Sequence, residues 1–177
     1  MTTKINSAIK SHLKVTEKMI ETLQNHIYTG CILVEETIKS GNKIVVFGSS
    51  SNDLLAQYIV TVFNDTMDSN LYGISLNNNI DKNQNITFER QVRLLANSND
   101  LLIGLSTSGN DKNVLRALST GKNIGCKIIG FSGYDGGAMS EFCDINLVIP
   151  SDDETQIREM YVVVGHIFAK TLVPLKN

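Results

Sequence analysis

The stretch "GLSTSGNDKNVLRAL", residues 104–118, decides how this chain is read. An apolar run, Leu101 to Leu105, stops abruptly at Ser106-Thr107-Ser108-Gly109, and a helical pattern starts just beyond. A strand that ends in a hydroxyl-rich loop and passes straight into a helix start brings backbone N–H groups and the positive end of a helix dipole to one point, a geometry suited to anions. Here an acid, Asp111, stands at the start of that helix. Outward from this unit the same layout recurs. "KIVVFG" (43–48), "LYGISL" (71–76), "KIIGFSG" (127–133) and "INLVIP" (145–150) are short apolar runs without alternation, as strands covered on both faces require. Helical stretches fall between them at 53–67, 86–96, 110–124, 137–142 and 154–173. The alternation predicts an α/β fold with a five-stranded parallel sheet, helices on both faces and right-handed crossovers.

Residues 3–40 read as one long helix. Ile5, Ile9, Leu13, Ile20, Leu23 and Ile27 recur at three-, four- and seven-residue steps, and Gly41 is a natural stop. The chain has 177 residues, 42% of them hydrophobic, enough for one domain with a substantial core. A net charge of -2 gives no field that favours nucleic acid or an acidic membrane. Neither a spanning apolar run nor an apolar signal core is present, so the expected location is the cytoplasm. Cys31, Cys126 and Cys143 lack metal spacing and read as buried small hydrophobes.

Ligand sites in such a sheet form beyond the carboxyl ends of the strands. Two strand ends are rich in hydroxyls: Ser49-Ser50-Ser51 after "IVVFG" and Ser106-Thr107-Ser108 after "LLIGL". Either loop alone reads more readily as helix capping. Their joint occurrence at equivalent points predicts a pocket for a small phosphorylated molecule.

These segments resemble the sugar-isomerase (SIS) domain family, in its phosphoheptose isomerase branch. "GLSTSGNDKNVLRAL" is similar to that family's STSGNS and PNVL motifs, and "FGSSSNDLLAQY" to its GNGGSAADAQH; "GYDGG", "CDINLVIPSDD" and "IREMYVVVGHI" extend the likeness. The resemblance implies a single domain over 1–177, a Rossmann-like or flavodoxin-like three-layer sandwich (41–177) preceded by an oligomerisation helix (1–40). It implies a homotetramer, or a dimer, with sites between subunits. The implied activity is ketose–aldose isomerisation of sedoheptulose 7-phosphate, in which a carboxylate relays a proton, a histidine assists, and relatives hold zinc.

Carried over residue by residue, the likeness departs where chemistry happens. The family's metal-binding histidine falls on Tyr58, its catalytic glutamate on Val62, its "RIQE" glutamine on Arg158 and the next histidine on Tyr161; only His166 is kept. A zinc site needs three or four N, O or S ligands, so the expectation is no zinc and no other cofactor. His166 reads either as the remaining catalytic group or as a core or interface histidine. Tyr58 and Tyr161 read as interface packing residues. Asp65 and Glu159 are the nearest acids in sequence. The substrate-binding candidates are Ser49, Ser50, Ser51, Asn52, Ser106, Thr107, Ser108, Asp111 and Arg158. Asp111 replaces the family's last phosphate-binding serine. It can bond the amides a phosphate would use, and unit charges ~4 Å apart repel by about 4 kcal/mol at an effective dielectric of ~20. Lys112 or Arg158 could offset that charge. The asparagine-rich span 77–92 reads as a polar loop, shorter than the family's equivalent. Two readings therefore stand: a divergent phosphoheptose isomerase, or a non-catalytic SIS oligomer that binds a sugar phosphate or a protein partner, as a close relative binds the replication initiator DnaA.

Overall fold

The computed structural model describes residues 1–66, 73–77 and 87–172. In chain order the elements are α1 (Thr2–Lys39), β1 (Ile44–Gly48), α2 (Ser51–Thr66), β2 (Gly73–Ser75), α3 (Phe88–Leu95), β3 (Leu101–Leu105), α4 (Lys112–Ile124), β4 (Lys127–Ser132), a short 3-10 helix (Gly137–Glu141), β5 (Ile145–Val148) and α5 (Glu154–Thr171). All four pairings are parallel, in the order β2-β1-β3-β4-β5. The chain leaves β1 towards one edge to form β2, then returns to lay β3 on the other side of β1. The sheet's switch point therefore lies between β1 and β3, where a crevice opens beyond the strand ends.

Alternate residues of each strand enter different cores, which explains the missing alternation. Ile44 and Val46 of β1, with Leu101 and Ile103 of β3, pack towards α1, α2 and α5 together with Phe63, Phe131 and Phe168. Val45, Phe47 and Leu102 pack towards α3 and α4 with Phe88, Val92, Val114 and Leu118. Every residue of β1 and β3 is buried.

The boundaries shift for local reasons. α2 starts at Ser51, two residues earlier than expected, and α4 starts at Lys112 because Asp111 is its cap. β5 stops at Val148, just ahead of Pro150, whose ring removes a ladder donor. Residues 71–72 of the second expected strand, and most of the polar span 77–92, lie outside the described residues, as do the outer ends of the helices expected at 53–67, 86–96 and 154–173.

The stripe read on α1 divides. Leu23 is buried and Ile27 packs against the core, but Ile5, Ile9, Leu13 and Ile20 are exposed, Ile20 by 63%. The helix meets its own chain through Val15, Met19, Leu23, Val34 and Ile38 instead. Thirty-eight residues make a rod of about 57 Å, longer than one small domain can cover.

Tyr161 corrects a second expectation. It is a core residue, 0% exposed, with its ring 5.4 Å from that of Phe131. Helical period told which face of α5 it shares, but not that β4 of its own chain lies opposite. Its hydroxyl is buried without a hydrogen-bond partner among the described residues, and burial pushes the phenol's pKa up. Tyr161→Phe keeps the ring and removes the orphaned polar atom. It should leave stability unchanged or raise it by up to about 1 kcal/mol in denaturant unfolding; a loss larger than that would show that the hydroxyl has a partner.

Candidate functional site

The two serine loops follow β1 and β3 and open into one cavity of about 290 Å³. Ser49, Ser50, Ser51 and Asn52 line one side, and Ser106, Thr107, Ser108 and Asp111 the other. Arg158 reaches the same space from α5. All nine candidate binding residues are thus brought together, in agreement with placement at the switch point.

The first loop turns sharply. Ser50 has φ 57, a left-handed conformation unusual for a residue with a side chain, and Asn52 N–H donates to Ser49 O at 3.1 Å. Three neighbouring polar atoms have no hydrogen-bond partner among the described residues: the hydroxyl of Ser49, the amide oxygen of Asn52, a residue 7% exposed, and Asp53 Oδ1.

The second loop is tied down on both sides. Ser106 accepts from the Asp111 amide at 3.3 Å, and Gly109 N–H returns to Ser106 O at 2.9 Å. Asn110 bridges to the next loop, accepting from the Ala138 amide at 3.0 Å. Asp111 Oδ1 then accepts from the amides of Asn113 (2.9 Å) and Val114 (3.0 Å). The carboxylate occupies the donors at the head of α4 and gains roughly 0.3–1 kcal/mol from the dipole. The anion at this nest is the protein's own.

Arg158 pairs with another carboxylate, that of Glu154. Its Nη1 donates to Glu154 Oε2 at 3.0 Å, one turn earlier on α5. Glu154 and Asn110 also line the cavity, and sequence reasoning missed both. The four-residue spacing of Glu154 and Arg158 was a legible signal; nothing local revealed Asn110.

His166 lies outside the cavity lining, eight residues beyond Arg158 and so about 12 Å further along α5. Its Nε2 is 2.9 Å from the Tyr58 hydroxyl, with the rings edge-on at 5.7 Å. Val62, one turn past Tyr58, packs against the core. Glu159 is held by His12 of α1 at 2.7 Å, and Asp65 faces solvent. The cysteines offer no nucleophile: Cys126 is buried, Cys31 and Cys143 are half-buried, and burial pushes Cys126 up to about 11 and Cys143 up to about 12.

A family model described as SIS domain matches residues 9–133. The phosphoheptose isomerase of Aliarcobacter butzleri is 38% identical over 173 residues, spanning 92% of each chain. The chain belongs to the SIS-domain family, in its phosphoheptose isomerase branch. Among solved structures, a phosphoheptose isomerase from Francisella tularensis superposes with a TM-score of 0.85 at 24% identity, over 99% of both chains. An Escherichia coli protein solved in complex with a sugar phosphate gives 0.72 at 20% identity, over 99% of this chain and 93% of that one.

In this SIS-domain chain, the positions that the resemblance assigns to metal binding hold Tyr58, Arg158 and His166, and its catalytic-glutamate position holds Val62. Valine has no donor atom, arginine is a cation, and the imidazole nitrogen facing Tyr58 is engaged with its phenol. Among the described residues there is also no group of three or more His, Cys, Asp or Glu able to hold a metal ion.

Proposed function

We propose that the chain is a cytoplasmic, homo-oligomeric binder of a sugar phosphate that has kept the phosphoheptose isomerase pocket while its ketose–aldose isomerisation is weak or lost. The kept pocket supports the first half. Hydroxyls, amides and Asn52 converge at the switch point, and a structural neighbour of this fold was solved with a sugar phosphate bound. The observation that carries the second half is the Tyr58–His166 contact beside Val62. Isomerisation needs a base within hydrogen-bond reach of two adjacent carbons, with a pKa suited to taking and returning a proton. Valine replaces that base, and the one histidine on the facing helix is held by a phenol instead of a metal.

The isomerase reading keeps one specific support. Glu154 is a carboxylate inside the cavity, although Arg158 holds it. Calorimetric titration with sedoheptulose 7-phosphate, followed by a turnover assay, separates the readings. We expect binding, with turnover at least about 10²-fold below that of a relative retaining its acid–base groups. Turnover near the relative's level that Glu154→Gln abolishes would establish the enzyme.

The exposed Ile5, Ile9, Leu13 and Ile20 of α1 support self-association through residues 1–40, with 41–177 as the α/β core of a single domain. A tetramer fits the resemblance, and a dimer would also cover this face. A protein partner such as DnaA is the alternative use. No helix among the described residues is long and apolar enough to cross a membrane.

A further inference from the structure

We propose that the anion-binding point of this cavity has moved from the head of α4 to Arg158, which docks the phosphoryl group of the ligand. This rests on the sugar-phosphate reading above. The old position is closed. Asp111 Oδ1 holds the Asn113 and Val114 amides, and Ser106 Oγ is engaged by the Asp111 amide. A phosphoryl group seated there would meet a carboxylate in place of free donors.

Among the described residues, Arg158 is the cation that lines this cavity. The i,i+4 contact with Glu154 is a weak tether: it is one 3.0 Å bond to a carboxylate whose side chain is 55% exposed. A guanidinium carries five N–H donors in a planar fork matched to phosphate oxygens, so it can release one carboxylate oxygen and take two phosphoryl oxygens. The second, independent sign of a ligand is Asn52. It is more than nine-tenths buried and lines the cavity, yet its amide oxygen has no hydrogen-bond partner among the described residues; the buried Ser49 hydroxyl and Asp53 Oδ1 beside it have none there either. Buried polar groups are normally satisfied. A polyhydroxylated body anchored at Arg158 brings hydroxyls to the cavity wall that Ser49 and Asn52 help form. Asp111 becomes an acceptor for sugar hydroxyls, and the cavity exchanges its cationic and anionic ends relative to the serine-lined arrangement it resembles.

The test is calorimetric titration of the protein with sedoheptulose 7-phosphate, inorganic phosphate and unphosphorylated sedoheptulose, using wild type, Arg158→Gln, Arg158→Lys, Asp111→Ser and the Asp111→Ser/Arg158→Gln double variant. Unchanged melting temperatures establish that the variants are folded. Arg158→Gln should weaken the sugar phosphate about 10- to 100-fold, the worth of a charge-assisted contact, and leave the unphosphorylated sugar unchanged. Arg158→Lys should fall between. Wild-type affinity in Arg158→Gln, or equal loss for both sugars, overturns the relocation while leaving the ligand reading intact. So does a gain of tenfold or more in Asp111→Ser that Arg158→Gln does not diminish, because the anion would then dock on α4. Failure of the wild type to bind either phosphate compound would remove the ligand reading and this inference together.

Discussion

Gly109→Ala should lower stability by about 3 kcal/mol and abolish ligand binding. Gly109 has φ +68, and a Cβ there would lie 2.0 Å from the carbonyl oxygen of Gly136 and 2.5 Å from its carbon. The obstacle is backbone, so no rotamer change relieves it. The left-handed conformation adds about 1–2 kcal/mol for any residue with a side chain. Relief requires the 106–111 loop to part from residues 133–138. That movement breaks the bond from the Met139 amide to Gly109 O and the bond from the Ala138 amide to Asn110. Ser108 and Asn110 would then no longer face the cavity. Denaturant unfolding and the sugar-phosphate titration measure the two effects. A stability change below about 1 kcal/mol with binding retained would show that the loops are not locked together as described.

Asp100→Ala should cost about 3 kcal/mol, lowering the melting temperature by roughly 6–12 °C for a chain of this size, without moving the cavity residues. Asp100 is 2% exposed and sits at the opposite end of β3 from the serine loop. Its carboxylate accepts from the Lys43 amide at 3.1 Å, from the Asn97 amide at 2.6 Å and from the Lys43 ammonium. It joins the residue entering β1 to the turn entering β3, and so fixes the register of the two strands whose far ends carry the site. Truncation leaves two amides and a half-buried cation without their acceptor, and such orphaned groups cost more than the bond was worth. Asp100→Asn keeps an acceptor and should lose less. Equal stability of Asp100→Ala and wild type would remove this tie from the account.

What was legible in the sequence follows from how local the cause was. The apolar strand runs, the serine loops and the acid at the head of α4 are set by neighbours within a few residues. They were readable as a parallel sheet with a pocket at two strand ends. Asp111 capping α4 belongs to the same class, because a side chain and the amides two and three residues on are linked by local geometry. The contacts on which the proposed function rests are long-range. Tyr58 and His166 are 108 residues apart and meet only because α2 packs on α5. Tyr161 looked like an interface residue because the period of α5 says which face it lies on, not that Phe131 waits there. The stripe on α1 was real, but it serves two surfaces, and periodicity cannot divide them.

The most direct test of a pocket without a proton relay is solvent exchange rather than product formation. Sedoheptulose 7-phosphate incubated in D₂O with the purified protein should bind, yet retain its C1 protons by NMR over many hours at catalytic protein concentrations. Rapid deuterium incorporation at C1, at rates of about 1 s⁻¹ or more and abolished by His166→Ala or Glu154→Gln, would contradict the account, because it would establish a working base at one of those residues.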